Sequence, residues 1–172
     1  YGPFPLCWTK LTSQAPQYPY QYPYISTLYV SSPGSLGFYS SANDSLYSCA
    51  IAPQVDVATN PINTLSVVFK IQKGGSSLGN GAIQVGVMTD PTDITTFTPV
   101  QTYSGFEWPN TNTWYDVEVP LTSYVGSGSY IALYMSNTAT GTTFIDNFAV
   151  LDLAVWGLNE SKVIDLRIYA KR

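Results

Sequence analysis

Residues 81–150 constrain the fold more than any other part of the chain, because they read as about five consecutive β-strands. Segments 82–88 and 114–121 alternate apolar residues with polar or small ones, which is the period of a half-buried strand. Segment 130–135 is almost entirely apolar, which predicts a central strand covered on both faces. Segment 144–150 follows a Thr-Gly-Thr turn and ends the series.

The rest of the chain fits the same class. Segment 65–72 alternates, and shorter strands are predicted near 35–39 and 46–51, while twelve Pro and thirteen Gly punctuate the runs. The tail differs, because the alternation over 163–169 follows a turn at 157–161 and predicts a β-hairpin. We therefore predict an all-β antiparallel sandwich over 1–152 with a C-terminal β-hairpin extension over 153–172. The hairpin is expected to lengthen one sheet or to pair with another chain.

Composition excludes several classes of function. Charged residues make up 10% of the chain, the net charge is −4 and no basic run occurs, which argues against nucleic acid. The chain has no histidine, so Ser-His-Asp and Cys-His catalysis within it are excluded. No run of 18 apolar residues occurs, so no membrane-spanning helix is predicted. A surface rich in Ser, Thr, Asn and Tyr favours neutral, hydrogen-bonding ligands.

Two pairs of carboxylates are candidates for a hydrolase site. Asp116 and Glu118 share one strand face, roughly 7 Å apart, a spacing that does not exclude a glycosidase. Asp90 and Asp93 lie together in one predicted turn. Solvent-facing strands and turns commonly carry such residues, so we predict that the protein is not an enzyme.

The two cysteines, Cys7 and Cys49, each lie in an apolar setting. They are expected either to form a disulfide or to pack as two buried free thiols, and the sequence leaves both alternatives open. Their spacing contains no CxxC motif, so zinc is not predicted.

The loop from Tyr103 to Asn112 carries the first candidate ligand site. Sugars present apolar C–H faces that stack on aromatic rings, while polar neighbours bind their hydroxyl groups. Trp108 supplies the ring, and four flanking side chains are candidate partners: Tyr103, Glu107, Asn110 and Asn112. The alternative is that Trp108 folds back onto the sandwich.

A row of tyrosines within the Tyr/Pro-rich segment carries the second candidate site. Tyr18, Tyr20, Tyr22 and Tyr24 alternate with other residues, so an extended backbone places them on one face. Such a strip could bind a glycan or a protein, and Tyr20 and Tyr22 are taken as its ligand-binding residues. The alternative is a lid over one end of a sheet.

Five stretches, in this order and spacing, resemble the jelly-roll domains of surface and secreted Bacteroidetes proteins, relatives of MAM-like and cleaved-adhesin β-sandwiches. They are Pro5-Leu6-Cys7-Trp8, Pro33-Gly34-Ser35-Leu36-Gly37-Phe38, Ile83 to Pro91, Trp114-Tyr115-Asp116-Val117, and Tyr130 to Leu133 leading to Ile145-Asp146-Asn147-Phe148. The resemblance covers residues 4–150. It implies a jelly roll, carbohydrate binding or adhesion without catalysis, and an extracellular or cell-surface location.

The same resemblance implies a structural Ca²⁺ near the last strand, held by carboxylate and amide oxygens. Asp146 is the first candidate ligand, with Asn147 and Asp44 beside it. The alternative is that Asp146 caps backbone amides where strands cross. Trp8 and Trp114 match core positions of the family and are expected to be buried.

A rival function is a structural or assembly subunit, either of a surface appendage or as a phage virion decoration domain. It depends on the tail hairpin, whose Ile164, Leu166 and Ile168 form an apolar stripe that invites a protein partner.

Overall fold

The computed structural model describes residues 3–13, 22–41, 46–74, 82–104, 107–136, 140–153 and 163–164. Within these residues the chain forms eleven strands and two short 3-10 turns, at Ile62–Thr64 and Ile94–Thr96. The strands are β1 Thr9–Thr12, β2 Tyr24–Ser26, β3 Ser35–Ser41, β4 Tyr47–Ile51, β5 Leu65–Gly74, β6 Ile83–Met88, β7 Thr98–Tyr103, β8 Trp114–Pro120, β9 Tyr130–Ser136, β10 Thr140–Asp152 and β11 Val163–Ile164. No helix in these residues is long and apolar enough to cross a membrane.

The strands form two antiparallel sheets. The five-stranded sheet has the order β1-β4-β9-β6-β7, and the six-stranded sheet has the order β2-β3-β10-β5-β8, with β11 also beside β10. Between β3 and β10 the chain crosses between the sheets at every connection except that from β6 to β7, which is the connectivity of a jelly roll. The predicted antiparallel jelly-roll sandwich is therefore confirmed.

Alternation in sequence explains which side chains fill the core between the sheets. Every second residue of β5 from Leu65 to Ile71 is buried, and so is every second residue of β6 from Ile83 to Val87. Trp8 is buried as expected and packs edge-on against Phe148, with ring centroids 5.0 Å apart. Trp114 is only half-buried, so the expectation that it is buried is wrong.

Three strands were not predicted. β1 and β2 are only four and three residues long, and β7 contains Pro99 and is mostly exposed at the edge of its sheet. Short edge strands lack the alternation that a buried face imposes, so their sequences carry little signal.

Strand β10 lies between β3 and β5 and contains a bulge between Asp146 and Ala149. At the bulge Asn147 has a positive φ of 54°, which Asn tolerates better than most residues. Beyond the end of β3, β11 pairs antiparallel with Val150 and Leu151 of β10. The described part of the predicted hairpin thus lengthens the six-stranded sheet. The turn at 157–161 and residues 165–169 lie outside the described residues, and the boundary at 152 stays a prediction.

The two cysteines are free thiols in this structure. Cys49 is buried in β4, as one of the two alternatives expected, whereas Cys7 is exposed beside β1. The expectation that both cysteines are bonded or buried is therefore wrong for Cys7.

Candidate functional site

The outer face of the five-stranded sheet carries a second apolar cluster, separate from the main core. Strand register aligns Leu11, Cys49, Tyr134, Gln84 and Thr102 in one row across all five strands. The neighbours of these residues along the strands point into the core, so this row points outward. Its floor is formed by four fully buried side chains, those of Cys49, Ile51, Met88 and Ala132.

Three aromatic rings stand on this floor, and we call them the ring row: Tyr47, Tyr134 and Phe97. The Tyr47 and Tyr134 ring centroids are 5.8 Å apart with planes 19° from parallel, and those of Tyr134 and Phe97 are 5.1 Å apart at 23°. Near-parallel rings at this separation are offset-stacked. All three are half-buried, so part of each ring remains open to solvent.

Phe97 reaches the row from the connection between β6 and β7. Asp93 caps the 3-10 turn there, since its Oδ1 accepts hydrogen bonds from Thr95 N at 2.9 Å and from Thr95 Oγ1 at 2.7 Å. Gly86 provides room beneath the ring, because a Cβ at that position would lie 2.6 Å from Phe97 Cε2. The capped turn and this glycine together hold Phe97 against Tyr134.

The ring row is electrically neutral at physiological pH. Burial raises the pKa of the Cys49 thiol beneath it to about 12. The pKa of Tyr47 is raised by burial, then by Cys49 and Asp93, and that of Tyr134 by burial, then by Cys49 and Tyr47. The phenol groups can therefore donate and accept hydrogen bonds without carrying charge.

Neutral polar groups surround the rings. Gln84 Nε2 donates to Thr102 Oγ1 at 3.2 Å, and Ser136 lies opposite Tyr47 in the register. The backbone of Tyr47 is fixed to the edge strand β1, because Thr12 Oγ1 donates to its carbonyl at 3.0 Å. Such an arrangement offers apolar ring surface and uncharged hydrogen-bonding groups on a rigid sheet.

The Trp108 site predicted from sequence has a different character. Trp108 is only 6% exposed and packs in the main core, 5.5 Å from the Tyr103 ring. Tyr103 Oη donates to the carbonyl of Glu118 at 3.4 Å, across the gap between the sheets. The loop joins β7 of one sheet to β8 of the other, so its rings close that gap. The expectation of an exposed Trp108 platform is wrong, and the alternative of a ring folded back onto the sandwich is what the structure has.

Three other candidates in that loop are exposed, and each takes part in a hydrogen bond within the loop or with a neighbouring strand. Glu107 Oε1 accepts from Ser104 N at 3.0 Å, and Asn110 N donates to the Tyr115 hydroxyl at 3.2 Å. Asn112 adopts a positive φ of 59°, and its N–H donates to the carbonyl of Lys73. A ligand-binding role for Glu107, Asn110 and Asn112 stays a prediction.

In the tyrosine strip, Tyr22 is buried rather than open. Its ring stacks on Tyr39 at 5.3 Å and meets Tyr24 edge-on at the same distance. This agrees with the alternative of a packed lid and is contrary to an open ligand-binding ring at Tyr22. Tyr18 and Tyr20 lie outside the described residues.

Asp146 is buried and its carboxylate accepts hydrogen bonds from three backbone amides. Oδ2 accepts from Val30 N at 2.6 Å and Ser31 N at 2.8 Å, and Oδ1 accepts from Asn147 N at 2.7 Å. This geometry is the capping alternative. Among the described residues no cluster of three or more His, Cys, Asp or Glu could hold a metal. Asp44 lies outside the described residues, and the calcium ion stays a prediction.

The carboxylate pairs take part in ordinary surface contacts. Lys70 Nζ and Asp116 Oδ1 form an ion pair at 2.6 Å, and Glu118 Oε1 accepts from Ser66 Oγ. Asp116, Glu118 and Asn147 border an open depression of about 530 Å³ on the outer face of the six-stranded sheet. Asp90 and Asp93 each bind hydroxyl and amide groups of their own turn.

Comparisons with known proteins establish the fold. No family model and no curated protein matches the chain. The K1 cleaved adhesin domain of Lys-gingipain from Porphyromonas gingivalis is 13% identical, with a TM-score of 0.57 over 85% of this chain and 90% of that domain. The K3 domain of the same protein gives 10% identity and a TM-score of 0.56 over 86% and 93%.

A carbohydrate-binding module has the same fold. The family 30 module of a cellulosomal cellulase from Clostridium thermocellum is 11% identical, with a TM-score of 0.53 over 87% of this chain and 94% of the module. The sequence-based resemblance to cleaved-adhesin and carbohydrate-binding β-sandwiches is thus confirmed at the level of fold.

The sequence reasoning missed the ring row. Tyr47 and Tyr134 both lay in strands that were predicted, but strand order, which makes β4 and β9 neighbours, was not predicted. The signal available in the sequence was that Tyr47, Cys49 and Ile51 are alternate residues of β4. Alternate residues of a strand share one face, so these three mark a second apolar face on β4. Phe97 lies in a turn and carries no periodic signal.

Proposed function

We infer that this chain is a non-catalytic glycan-binding module whose binding surface is the ring row. The observation that carries the proposal is the set of three half-buried, near-parallel rings on a sheet face whose strands place neutral polar groups beside them. Apolar C–H faces of a sugar stack on such rings, and the Tyr hydroxyls and Gln84 bind sugar hydroxyls.

The surface sets the kind of affinity expected. It is open rather than enclosed, so a glycan buries limited area and binds with modest strength. Because no charge of the rings takes part, the affinity changes little with ionic strength.

The structural neighbours, two cleaved adhesin domains and a carbohydrate-binding module, support the proposal through their shared fold alone. Adhesion through glycans and an extracellular or cell-surface location belong to the same proposal. Assembly through the tail hairpin stays an alternative prediction. It is tested by mass measurement in solution before and after deletion of residues 153–172, where loss of a stable oligomer would favour it.

The direct test is a glycan array followed by titration of every polysaccharide that binds, with wild type and Tyr134→Ala. Removal of the central ring is expected to lower affinity roughly 10-fold to 100-fold, because an aromatic contact contributes about 1.5–3 kcal/mol. The matched control is Tyr29→Ala, which removes an exposed ring on the loop between β2 and β3.

Circular dichroism and thermal unfolding establish that both variants are folded before they are compared. Binding by Tyr29→Ala should equal that of wild type. Failure of every glycan to bind, or equal binding by wild type and Tyr134→Ala, rejects the proposal.

A further inference from the structure

The charges around the ring row differ in sign from those that an acidic polysaccharide would need. Asp93 caps the turn that presents Phe97, and its carboxylate is close enough to Tyr47 to influence that phenol. Asp90 begins the preceding turn, in which Asp93 N donates to the Asp90 carbonyl, and hydrogen bonds from the Thr92 hydroxyl and amide hold the pKa of Asp90 below its usual value. Both side chains are exposed on the connection that presents Phe97.

Cations of the described residues lie elsewhere. Lys10 is opposite the core residue Ala50 in the register, so it points away from the ring row, and its ammonium lies 5.3 Å from the Phe4 ring. Lys70 and Lys73 belong to β5 in the other sheet. The described part of the chain therefore places no Lys or Arg on the ring-row face.

We propose that the ring row selects uncharged glycan chains and rejects polyanionic ones, such as uronates and sulfated chains, because Asp93 and Asp90 repel anions at its edge. The inference depends on the proposed glycan-binding function. A carboxylate that enters this surface meets like charges without a compensating cation among the described residues, while a neutral hydroxyl meets the same hydrogen-bonding groups without a penalty.

The test uses one neutral polysaccharide that binds on the array, in three forms. The first is unmodified, the second has its primary hydroxyl groups oxidised to carboxylates, and the third is the methyl ester of the second. The ester keeps the altered C6 group but removes the charge. We expect wild type to bind the oxidised form roughly threefold to tenfold more weakly than the ester at low ionic strength.

Two protein variants and salt assign the cause. Asp93→Asn keeps a capping oxygen for Thr95 but removes the charge, and should narrow the difference between oxidised and esterified forms by about threefold. Asp116→Asn makes the same charge change on the opposite sheet and should leave the difference unchanged. Raising the ionic strength from about 0.01 M to about 1 M should also narrow the difference in affinity between the oxidised and esterified forms, since the Debye length falls from about 30 Å to about 3 Å.

The outcomes separate the two proposals. If the oxidised form binds as well as the ester and Tyr134→Ala weakens both, the ring row binds glycans but does not select by charge. If Asp93→Asn changes nothing, the role given to Asp93 is wrong. If no polysaccharide binds at all, the function and this inference fall together.

Discussion

Two groups of aromatic rings in this molecule contain similar side chains and have opposite surroundings. Tyr103 and Trp108 lie where β7 passes to β8, between the two sheets, where Trp108 is buried in the core and the half-buried Tyr103 packs against it. The ring row stands on the outer face of one sheet, where its rings stay half-exposed. The first group closes the sandwich, and the second forms a surface.

The difference shows that residue type does not decide whether an aromatic ring serves stability or recognition. The connection at Trp108 crosses between sheets, so a ring there fills the gap that the crossing leaves. Tyr134 is on the outward-facing side of a central strand, where no other layer of the described residues covers it. Position relative to the two layers therefore predicts the role better than neighbouring polar residues do.

The largest effect expected from this contrast is the loss of stability caused by Trp108→Ala. We expect the free energy of unfolding to fall by about 3–5 kcal/mol, because the substitution leaves a cavity in the core. Urea denaturation measures it, and Trp108→Phe, which keeps a ring, should lose much less. At temperatures where the variant is folded, its affinity for glycans should equal that of wild type.

An opposite pattern for Trp108→Ala, with stability nearly unchanged and glycan affinity lost, would reverse the assignment of the two groups.

A smaller effect is expected for Gly86→Ala, which alters the support of the ring row. The added Cβ would meet the carbonyl of Thr98 and the Phe97 ring, so the ring must shift. Overpacking of this kind destabilises by about 1–3 kcal/mol and should also weaken glycan binding. In a Phe97→Ala background the penalty of Gly86→Ala should be smaller, since one of the two clashes is gone. An unchanged penalty in that background would show that Phe97 does not rest on Gly86.

The smallest effect concerns the thiol beneath the rings. The pKa of Cys49 is about 12 in the folded protein against 9.0 for an ordinary thiol, because of burial. As pH rises, the unfolded chain therefore loses the Cys49 proton before the folded protein does. The contribution of the buried thiol to the free energy of unfolding is complete below pH 9 and is lost as pH rises from about 9 through 12. At pH 10 the loss in the free energy of unfolding amounts to roughly 1 kcal/mol.

Unfolding free energies measured from pH 7 to pH 10.5 test the thiol prediction. The free energies of unfolding of wild type and Cys7→Ala should fall more steeply above pH 9 than that of Cys49→Ala, in which the buried thiol is absent. Equal slopes for all three proteins would show that Cys49 is not protected by burial. Thiol labelling gives a second readout, because Cys7 should react in the native protein and Cys49 only after unfolding.

Much of the fold could be predicted from the sequence, because period-2 alternation in β5, β6 and β8 is a direct result of one buried face. The pairing of β4 with β9 could not, since it depends on contacts between residues about 85 positions apart. The candidate site could not be predicted for the same reason, because the ring row exists only once β4 and β9 are neighbours.

The Trp108 prediction failed for a related reason. Flanking Pro109, Asn110 and Glu107 do indicate an exposed backbone, and the backbone does run at the surface. The indole nevertheless turns inward, because the edge between the sheets offers it apolar contacts. Local polarity predicts where the chain lies, but it does not predict which way a large ring points.

The central place of β10 governs the order in which this molecule can assemble during synthesis. Residues 140–152 complete the hydrogen bonding of both β3 and β5, which are made 66 residues or more earlier. Until the ribosome has released that strand, both partners have bare edges that can pair with other chains. Folding should therefore be slow and late, and a nascent chain arrested before Thr140 should be a client of chaperones.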